Sequence, residues 1–295
     1  MIVLGLSEDW SEVLRSFKEY YKKMSNMYKP AKTLNEQLEY LNKNKRVQFN
    51  DIDENKAKEI LFKYNYINVI TPYKHHFAKL DEKKEVIKVN GSHIYERDVE
   101  FSEYLDYFKK ERSKYPIIAK NVIYYETIFK SILSYRILTN ENFKNEKDVS
   151  IFLDSIRLRI AMNSAYNPSR LEHMNNHIIA LKESINKYAD VYCFFDRMSL
   201  GVSLTIFSGL DKKIQKQMMN DFKNYNMNFG VMNVNDFINK IFTLVSIRNC
   251  VMHCNSLEIL IRFYNPTTHD LRKSTDRKRY LSMIRELTKE KPHNI

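Results

Sequence analysis

Apolar residues recur at steps of three and four along most of the chain, which is the spacing typical of amphipathic helices. Residues 8–28 carry such a stripe between lysines and glutamates, so a helix is predicted there. Thr33 and Glu36 have the spacing of a capping box, and Asp53 is placed to cap the helix that follows. The same periodicity predicts helices between Asp98 and Pro116 and over residues 117–138, 147–165, 170–190, 210–225 and 234–256.

The clearest β signal is the stretch EVIKVNGSHIYE, residues 85–96. Its Asn90-Gly91 pair suits a type I′ turn between two alternating runs, so a small hairpin is predicted. The fold class is therefore mainly all-α. We expect an N-terminal helical region with the hairpin over residues 1–97, a helical bundle domain over residues 98–262, and a basic C-terminal tail over residues 263–295.

The net charge of the chain indicates the kind of partner that it binds. The 295 residues contain 48 Lys plus Arg against 36 Asp plus Glu, a net charge of +12, which favours a polyanionic partner, nucleic acid before membrane. Only 5 Gly and 6 Pro occur, which disfavours turn-rich β folds and glycine-rich phosphate loops. No apolar run approaches a membrane span of about 20 residues. The start MIVLGLSEDW lacks a basic leader, so we expect a cytoplasmic protein.

Metal and disulfide chemistry find little support. Cys193, Cys250 and Cys254 form neither an even disulfide framework nor two CxxC pairs, so reduced thiols are expected. His75 and His76 have no carboxylate cluster nearby in sequence and no HExxH spacing. We therefore expect no metal site and no cofactor.

The segment INKIFTLVSIRNCVMHCNSLEIL, residues 238–260, places an arginine within an apolar helix face. At 100° per residue, Arg248 lies in the same stripe as four apolar residues: Ile241, Leu244, Val245 and Met252. An unpaired buried guanidinium costs about 3–5 kcal/mol. Arg248 must therefore find a carboxylate partner or line a cleft that receives an anion.

Asn249 and His253 lie four residues apart beside that stripe, so the three polar residues form a notch in the helix. On a regular helix Arg248 and His253 point about 140° apart. Such a separation fits either a site shared between subunits or a loosened helix. Two other arginine–histidine pairs of similar spacing, Arg170 with His177 and Arg262 with His269, lie outside comparably apolar helices.

Two further groups of charges have alternative interpretations. Glu126 and Lys130 form an i,i+4 pair, which in one interpretation only stabilises its own helix. In the other interpretation Glu126 is the partner of Arg248 or His253 across the bundle, and Lys130 contacts RNA. The C-terminal cations either form a solvated helix face or contact nucleic acid phosphates. These cations are Arg272, Lys273, Arg277, Lys278 and Arg279.

Four segments of the chain resemble one family, in the order and spacing of the Abi-like abortive infection proteins, AbiD/AbiF type. They are residues 29–77, the helix that contains Glu126, the stretch FFDRMSLGVSLTIFSGLDKKIQKQMMNDF at residues 194–222, and the closing RNCVMH at residues 248–253. The resemblance covers roughly residues 29–260. It implies a bacterial anti-phage protein with a HEPN-type helical domain.

The resemblance also implies an activity. In such domains an arginine, a polar residue and a histidine form a metal-independent endoribonuclease site, often composite across a homodimer, and these positions correspond to Arg248, Asn249 and His253. We count Glu126 with the site as the partner of Arg248 or His253 across the bundle. Some members are associated with a small structured noncoding RNA that would hold the toxin silent. Two alternatives stay open: a non-catalytic RNA-binding module of a defence or toxin-antitoxin ribonucleoprotein, and a purely structural pairing of Arg248 with an acid such as Glu126.

Overall fold

The structure is a computed structural model that describes residues 31–82, 86–89, 92–163, 168–188, 190–225, 233–265 and 270–289. The chain divides into two compact units, one up to Leu105 and one from Asp106 onward. The mainly all-α class is confirmed. The helix predicted over residues 8–28 lies outside the described residues. Among the residues that are described, no helix combines the length and the apolarity needed to cross a membrane.

The first unit is built from short helices and two-residue strands. Its elements are α1 (Leu34–Lys45), β1 (Val47–Gln48), α2 (Glu54–Tyr64), α3 (Tyr66–Val69), a 3-10 turn (Thr71–Tyr73), α4 (Lys74–Phe77), β2 (Lys88–Val89), β3 (Ser92–His93) and β4 (Val99–Glu100). The predicted caps are confirmed. Thr33 and Glu36 form a reciprocal capping box at the start of α1, and the Asp53 carboxylate accepts from two backbone N–H groups of α2.

Two strand pairs organise this unit. β2 and β3 pair antiparallel, which confirms the predicted hairpin, although its Asn90-Gly91 turn lies outside the described residues. β1 and β4 pair in parallel, with Val47 opposite Val99. A strand of two residues is too short to show the alternation of apolar and polar residues that predicts a strand, so the sequence does not indicate this second pair.

The second unit contains the long helices. Helix α5 (Phe101–Arg112) begins in the first unit, and the following elements are α6 (Tyr115–Asn140), α7 (Glu146–Ala161), α8 (Pro168–Ser184), a 3-10 turn (Ile185–Lys187), α9 (Val191–Asp196), α10 (Leu200–Gly209), α11 (Lys212–Lys223), α12 (Val234–Met252), α13 (Leu257–Arg262), β5 (Phe263–Asn265), β6 (Asp270–Leu271) and α14 (Ser274–Leu287). The segment predicted as a basic tail thus contains a short hairpin and α14, which packs against α12 and α6.

Helix α6 is central to the second unit because α9, α10, α11, α12 and α14 all pack against it. Phe129 on α6 is fully buried, and its ring lies 5.9 Å from Phe207 of α10, 6.0 Å from Phe222 of α11 and 6.2 Å from Phe237 of α12. Such edge and tilted contacts between rings add to the free energy of burying them. One aromatic cluster therefore fixes four helices against one another.

Close approach of α10 to α7 depends on Gly209. A Cβ added at Gly209 would lie 2.6 Å from Ile156 Cγ2 and 2.7 Å from the Ile156 carbonyl oxygen, a backbone atom that has no other rotamer. At Gly201 of the same helix the nearest atoms, on His177 and Val245, are 3.8 Å away. A methyl group added to α10 therefore collides with α7 at Gly209 and fits at Gly201, so Gly201 is a control for Gly209.

Replacing Gly209 by alanine is expected to lower the free energy of unfolding by about 2–3 kcal/mol, because α10 must move away from α7. Gly201→Ala is expected to be neutral or to stabilise by up to about 1 kcal/mol through helix propensity. Denaturant unfolding of both variants measures the difference. Equal stability of the two variants would contradict the close packing of α10 on α7.

Candidate functional site

Arg248 on α12 faces Glu126 on α6. The Arg248 Nε donates to Glu126 Oε2 at 3.3 Å, and the two side chains are 34% and 15% exposed. The arginine therefore lies at the edge of the core, where it has a carboxylate partner and also reaches solvent. A partly exposed ion pair of this kind contributes about 0–1 kcal/mol to stability. The pair does more to orient the guanidinium than to hold the fold together.

Asn249 completes the orientation of the guanidinium. The Nη1 of Arg248 donates to Asn249 Oδ1 at 3.3 Å, while Nη2 has no hydrogen bond within the described part of the chain. The Asn249 side chain is exposed. Two of the three guanidinium nitrogens are thus held by the protein, and the third is available to an anion.

His253 lies immediately beyond α12. The prediction of a helix to residue 256 is wrong, because the helix ends at Met252 and His253 is its C-terminal cap. Cys254 has φ 53°, and the backbone N–H groups of Cys254 and Asn255 donate back to Val251 and Cys250. This is a Schellman motif with cysteine where glycine is usual. The imidazole of His253 is exposed and has no hydrogen bond within the described residues.

The turn after His253 is held by Glu111 of α5. Its carboxylate accepts from the backbone N–H groups of Leu257 at 3.1 Å and Glu258 at 3.0 Å, and from the Ser256 hydroxyl at 3.2 Å. Free N–H groups at a helix start need acceptors, and a carboxylate is also favoured there by the helix dipole. Glu111 therefore ties the start of α13 to α5.

Two neighbours of Glu111 hold the same turn. The Arg112 Nη2 donates to the Cys254 carbonyl at 2.6 Å, and the Tyr115 hydroxyl contacts both the Asn255 carbonyl and Glu111. The Arg112 guanidinium also stacks on the Tyr115 ring, with its centre 4.6 Å from the ring centroid. These contacts reach each residue of the turn that follows His253.

Cys250 faces this turn from the last coil of α12. Its thiol is buried and donates to the Asn255 carbonyl at 3.3 Å. Burial, with the Glu111 charge beside it, raises the pKa of the Cys250 thiol to about 12. The thiol is therefore neutral at physiological pH and stabilises the turn, whereas a nucleophilic cysteine needs a lowered pKa.

The remaining predicted contacts for RNA are dispersed. Lys130 is half-buried on α6 and forms no ion pair within the described residues. Arg272 is buried and donates to the Leu260 and Phe263 carbonyls, and Arg279 donates to Thr243 and pairs with Asp276. The exposed members of the C-terminal group are Lys273, Arg277 and Lys278.

Comparison with known proteins identifies the family. A model of the family described as Abi-like protein matches residues 59–257, more than half of the chain. The chain belongs to this family. The resemblance seen in the sequence is therefore confirmed, and it implies a role in abortive infection, a form of defence against phage. No curated protein and no solved structure matches the chain.

The sequence of this Abi-like protein gave no sign of Glu111, Arg112 or Tyr115 as part of the site. They lie in a run of charged and aromatic residues, KKERSKY, that reads as an ordinary helix end. Their contacts are with residues about 140 positions later in the chain. Only the three-dimensional structure reveals them, since periodicity reports on neighbours within a helix.

Glu111→Gln is expected to lower the free energy of unfolding by about 1–3 kcal/mol, because the amide supplies one acceptor oxygen where the carboxylate supplies two. It should also shift the ring signals of His253 in the NMR spectrum of a histidine-labelled chain, where the signal absent from His253→Ala identifies the residue.

Asp221→Asn is the matched control. It weakens a bidentate pair with Arg136 between α6 and α11, with distances of 2.6 and 2.8 Å, which makes no contact with the turn. This variant should lose stability with His253 signals unchanged. A wild-type His253 signal in Glu111→Gln would contradict the assigned role of Glu111.

Proposed function

We propose that this Abi-like protein is a metal-independent endoribonuclease of the HEPN type that acts in phage defence. Two observations carry the proposal. Glu126 and Asn249 hold Arg248 with one guanidinium nitrogen unused, and an exposed His253 caps the end of the same helix. A fixed cation and a free imidazole are the groups that cleavage of RNA through its own 2′-hydroxyl requires.

In the proposed reaction a neutral imidazole of His253 takes the proton of the RNA 2′-hydroxyl. The 2′-oxygen attacks the adjacent phosphorus, the bond from phosphorus to the 5′-oxygen breaks, and an imidazolium returns a proton to that oxygen. Arg248 stabilises the negative charge that develops on the phosphate. The products are a 2′,3′-cyclic phosphate and a 5′-hydroxyl, and no step needs a metal ion.

The mechanism also calls for a second chain. The proposed site holds one imidazole per chain, whereas removal of one proton and delivery of another is best served by two groups. We therefore propose a homodimer that brings two copies of His253 to one substrate. His253 suits this arrangement because it lies outside the helix, on an exposed turn held from behind by Glu111.

RNA binding is proposed to extend beyond the cleaved phosphate. The exposed Lys273, Arg277 and Lys278 lie at the start of α14, and the net charge of +12 favours a polyanion. Their engagement by a small structured noncoding RNA would keep the nuclease silent before infection. Such a complex would purify with the ultraviolet absorbance ratio of a nucleoprotein.

The nuclease is tested on protein stripped of nucleic acid in high salt and incubated with labelled RNA in excess EDTA. His253→Ala and Arg248→Ala are each expected to lower the cleavage rate at least about 100-fold, the loss typical of an acid–base group or a charge-stabilising donor. RNA affinity should change far less. Cyclic phosphate ends on the wild-type products would identify the chemistry.

Two exposed residues provide matched controls. His173 on α8 and Arg157 on α7 are solvent-facing, and their alanine variants are expected to cleave like the wild type. Tight RNA binding without cleavage by any variant would favour the non-catalytic RNA-binding module. Normal cleavage by Arg248→Ala would leave its pairing with Glu126 as a structural contact only.

The shared site predicts that specific activity depends on protein concentration. Dilution of the chain through the dissociation constant of the dimer should lower the activity per chain, and sedimentation at the same concentrations should report the change from dimer to monomer. An active monomer, with activity strictly proportional to protein, would exclude the composite site while leaving the nuclease itself intact.

A further inference from the structure

The first unit contains a lysine in an unusual position. Lys45, the last residue of α1, is only 2% exposed. Its ammonium donates to the His93 carbonyl at 2.9 Å and to the Tyr40 hydroxyl, which leaves one of its three N–H donors unused within the described residues. The ammonium also lies 5.6 Å from the centroid of the Tyr95 ring.

A second lysine and an unused hydroxyl lie in the same unit, and the charge of Lys45 acts on this lysine. The Lys74 ammonium lies 4.8 Å from the centroid of the Tyr66 ring and forms no hydrogen bond within the described residues. The hydroxyl of Tyr66 is buried and has no hydrogen-bond partner there. Burial and the charge of Lys45 lower the pKa of Lys74 to about 8, so the two ammonium groups repel each other through a poorly solvated region.

In the described part of the first unit these two ammonium groups have neutral partners, namely a carbonyl, a hydroxyl and tyrosine rings, and no carboxylate. No aspartate or glutamate there forms an ion pair with Lys45 or Lys74. The nearby phenols do not supply a negative charge, because burial raises the pKa of Tyr66, Tyr95 and Tyr104 above the ordinary tyrosine range. The Tyr95 and Tyr104 hydroxyls also bond to each other. Buried cations without a counter-ion destabilise a folded chain.

We propose that Lys45, Lys74 and the Tyr66 hydroxyl form a receptor for a phosphate group. All three present unused N–H or O–H donors, a set that suits an oxyanion and excludes a metal cation. A phosphate supplies several acceptor oxygens and negative charge to both lysines at once. Lys74 is partly exposed, so a ligand can approach from its side. The phosphate is either free, as in a small phosphorylated molecule, or part of RNA.

The direct experiment is a calorimetric titration of the full chain with inorganic phosphate, in a buffer that contains no other phosphate. Lys74→Met and Lys45→Met keep the length of the side chain and remove the charge, and each should weaken phosphate binding at least about tenfold. Tyr66→Phe removes only the hydroxyl and should weaken it about threefold or more. Lys63→Met is the matched control, because Lys63 stacks at 5.0 Å on Tyr64 of the same unit at the exposed end of α2.

The melting temperature provides a second readout, because the substitutions that weaken phosphate binding should not lower the stability of the phosphate-free protein. Without phosphate, Lys74→Met and Tyr66→Phe should melt at or above the wild-type temperature, because they remove a repelled charge and an unsatisfied hydroxyl. Added phosphate should raise the melting temperature of the wild type and of Lys63→Met only. Tyr66→Phe keeps the proposal testable if Lys45→Met does not fold. A residue needed only for the fold would instead lower the melting temperature when replaced.

The source of the phosphate is distinguished in the His253→Ala background, where RNA cleavage cannot interfere. Displacement of inorganic phosphate by a short 5′-phosphorylated RNA, with no displacement by its 5′-hydroxyl counterpart, would assign the site to an RNA end. Displacement by both RNAs would assign it to the RNA backbone, and displacement by mononucleotides alone to a small molecule. Equal phosphate affinity in the wild type, Lys74→Met and Tyr66→Phe, or no affinity in any of them, would overturn the proposal whatever the nuclease test yields.

Discussion

Packing of α12 against α6 is the constraint on which the candidate site depends. Phe237 near the start of α12 contacts Phe129 of α6 within the aromatic cluster, and Phe129 lies one turn from Glu126. Arg248 lies three turns further along α12, where the same pair of helices brings it to Glu126. The ion pair is too weak to set the helix geometry. The buried rings set it, and the two charged groups meet as a consequence.

The turn at the end of α12 is held by polar contacts with α5 and α6. The chain turns at His253, with Cys254 in the left-handed region that glycine occupies at lower cost. The contacts of Glu111, Arg112 and Tyr115 compensate this backbone strain, because each of them binds the turn or the start of α13. The histidine is thereby exposed and yet placed on a turn that is held at several points. Rigid support behind an exposed group is what a reactive imidazole requires.

The elements that sequence predicted correctly are those whose signals are local. The capping box at Thr33 and the cap at Asp53 each depend on residues within one turn, and both are present. Helix α10 was not predicted, because nearly all its side chains are buried and it therefore lacks a polar face. For the site, an arginine in an apolar stripe predicted a carboxylate partner, and Glu126 was among the candidates. The supporting residues on α5 and α6 were missed because no local pattern reports a contact between Glu111 and Leu257.

The net charge of +12 overstates the surface that is available to a nucleic acid. Arg272 and Arg279 belong to the basic C-terminal group, yet their donors are engaged by carbonyl oxygens, a hydroxyl and a carboxylate of the chain itself. Arg136 is likewise engaged within the second unit, by the carboxylate of Asp221. What distinguishes a binding cation is an unused donor near solvent, a criterion that Arg248 meets and Arg272 does not. A phosphate group is therefore expected where the fold leaves such donors, and the density of lysine and arginine in the sequence is a poor guide to those places.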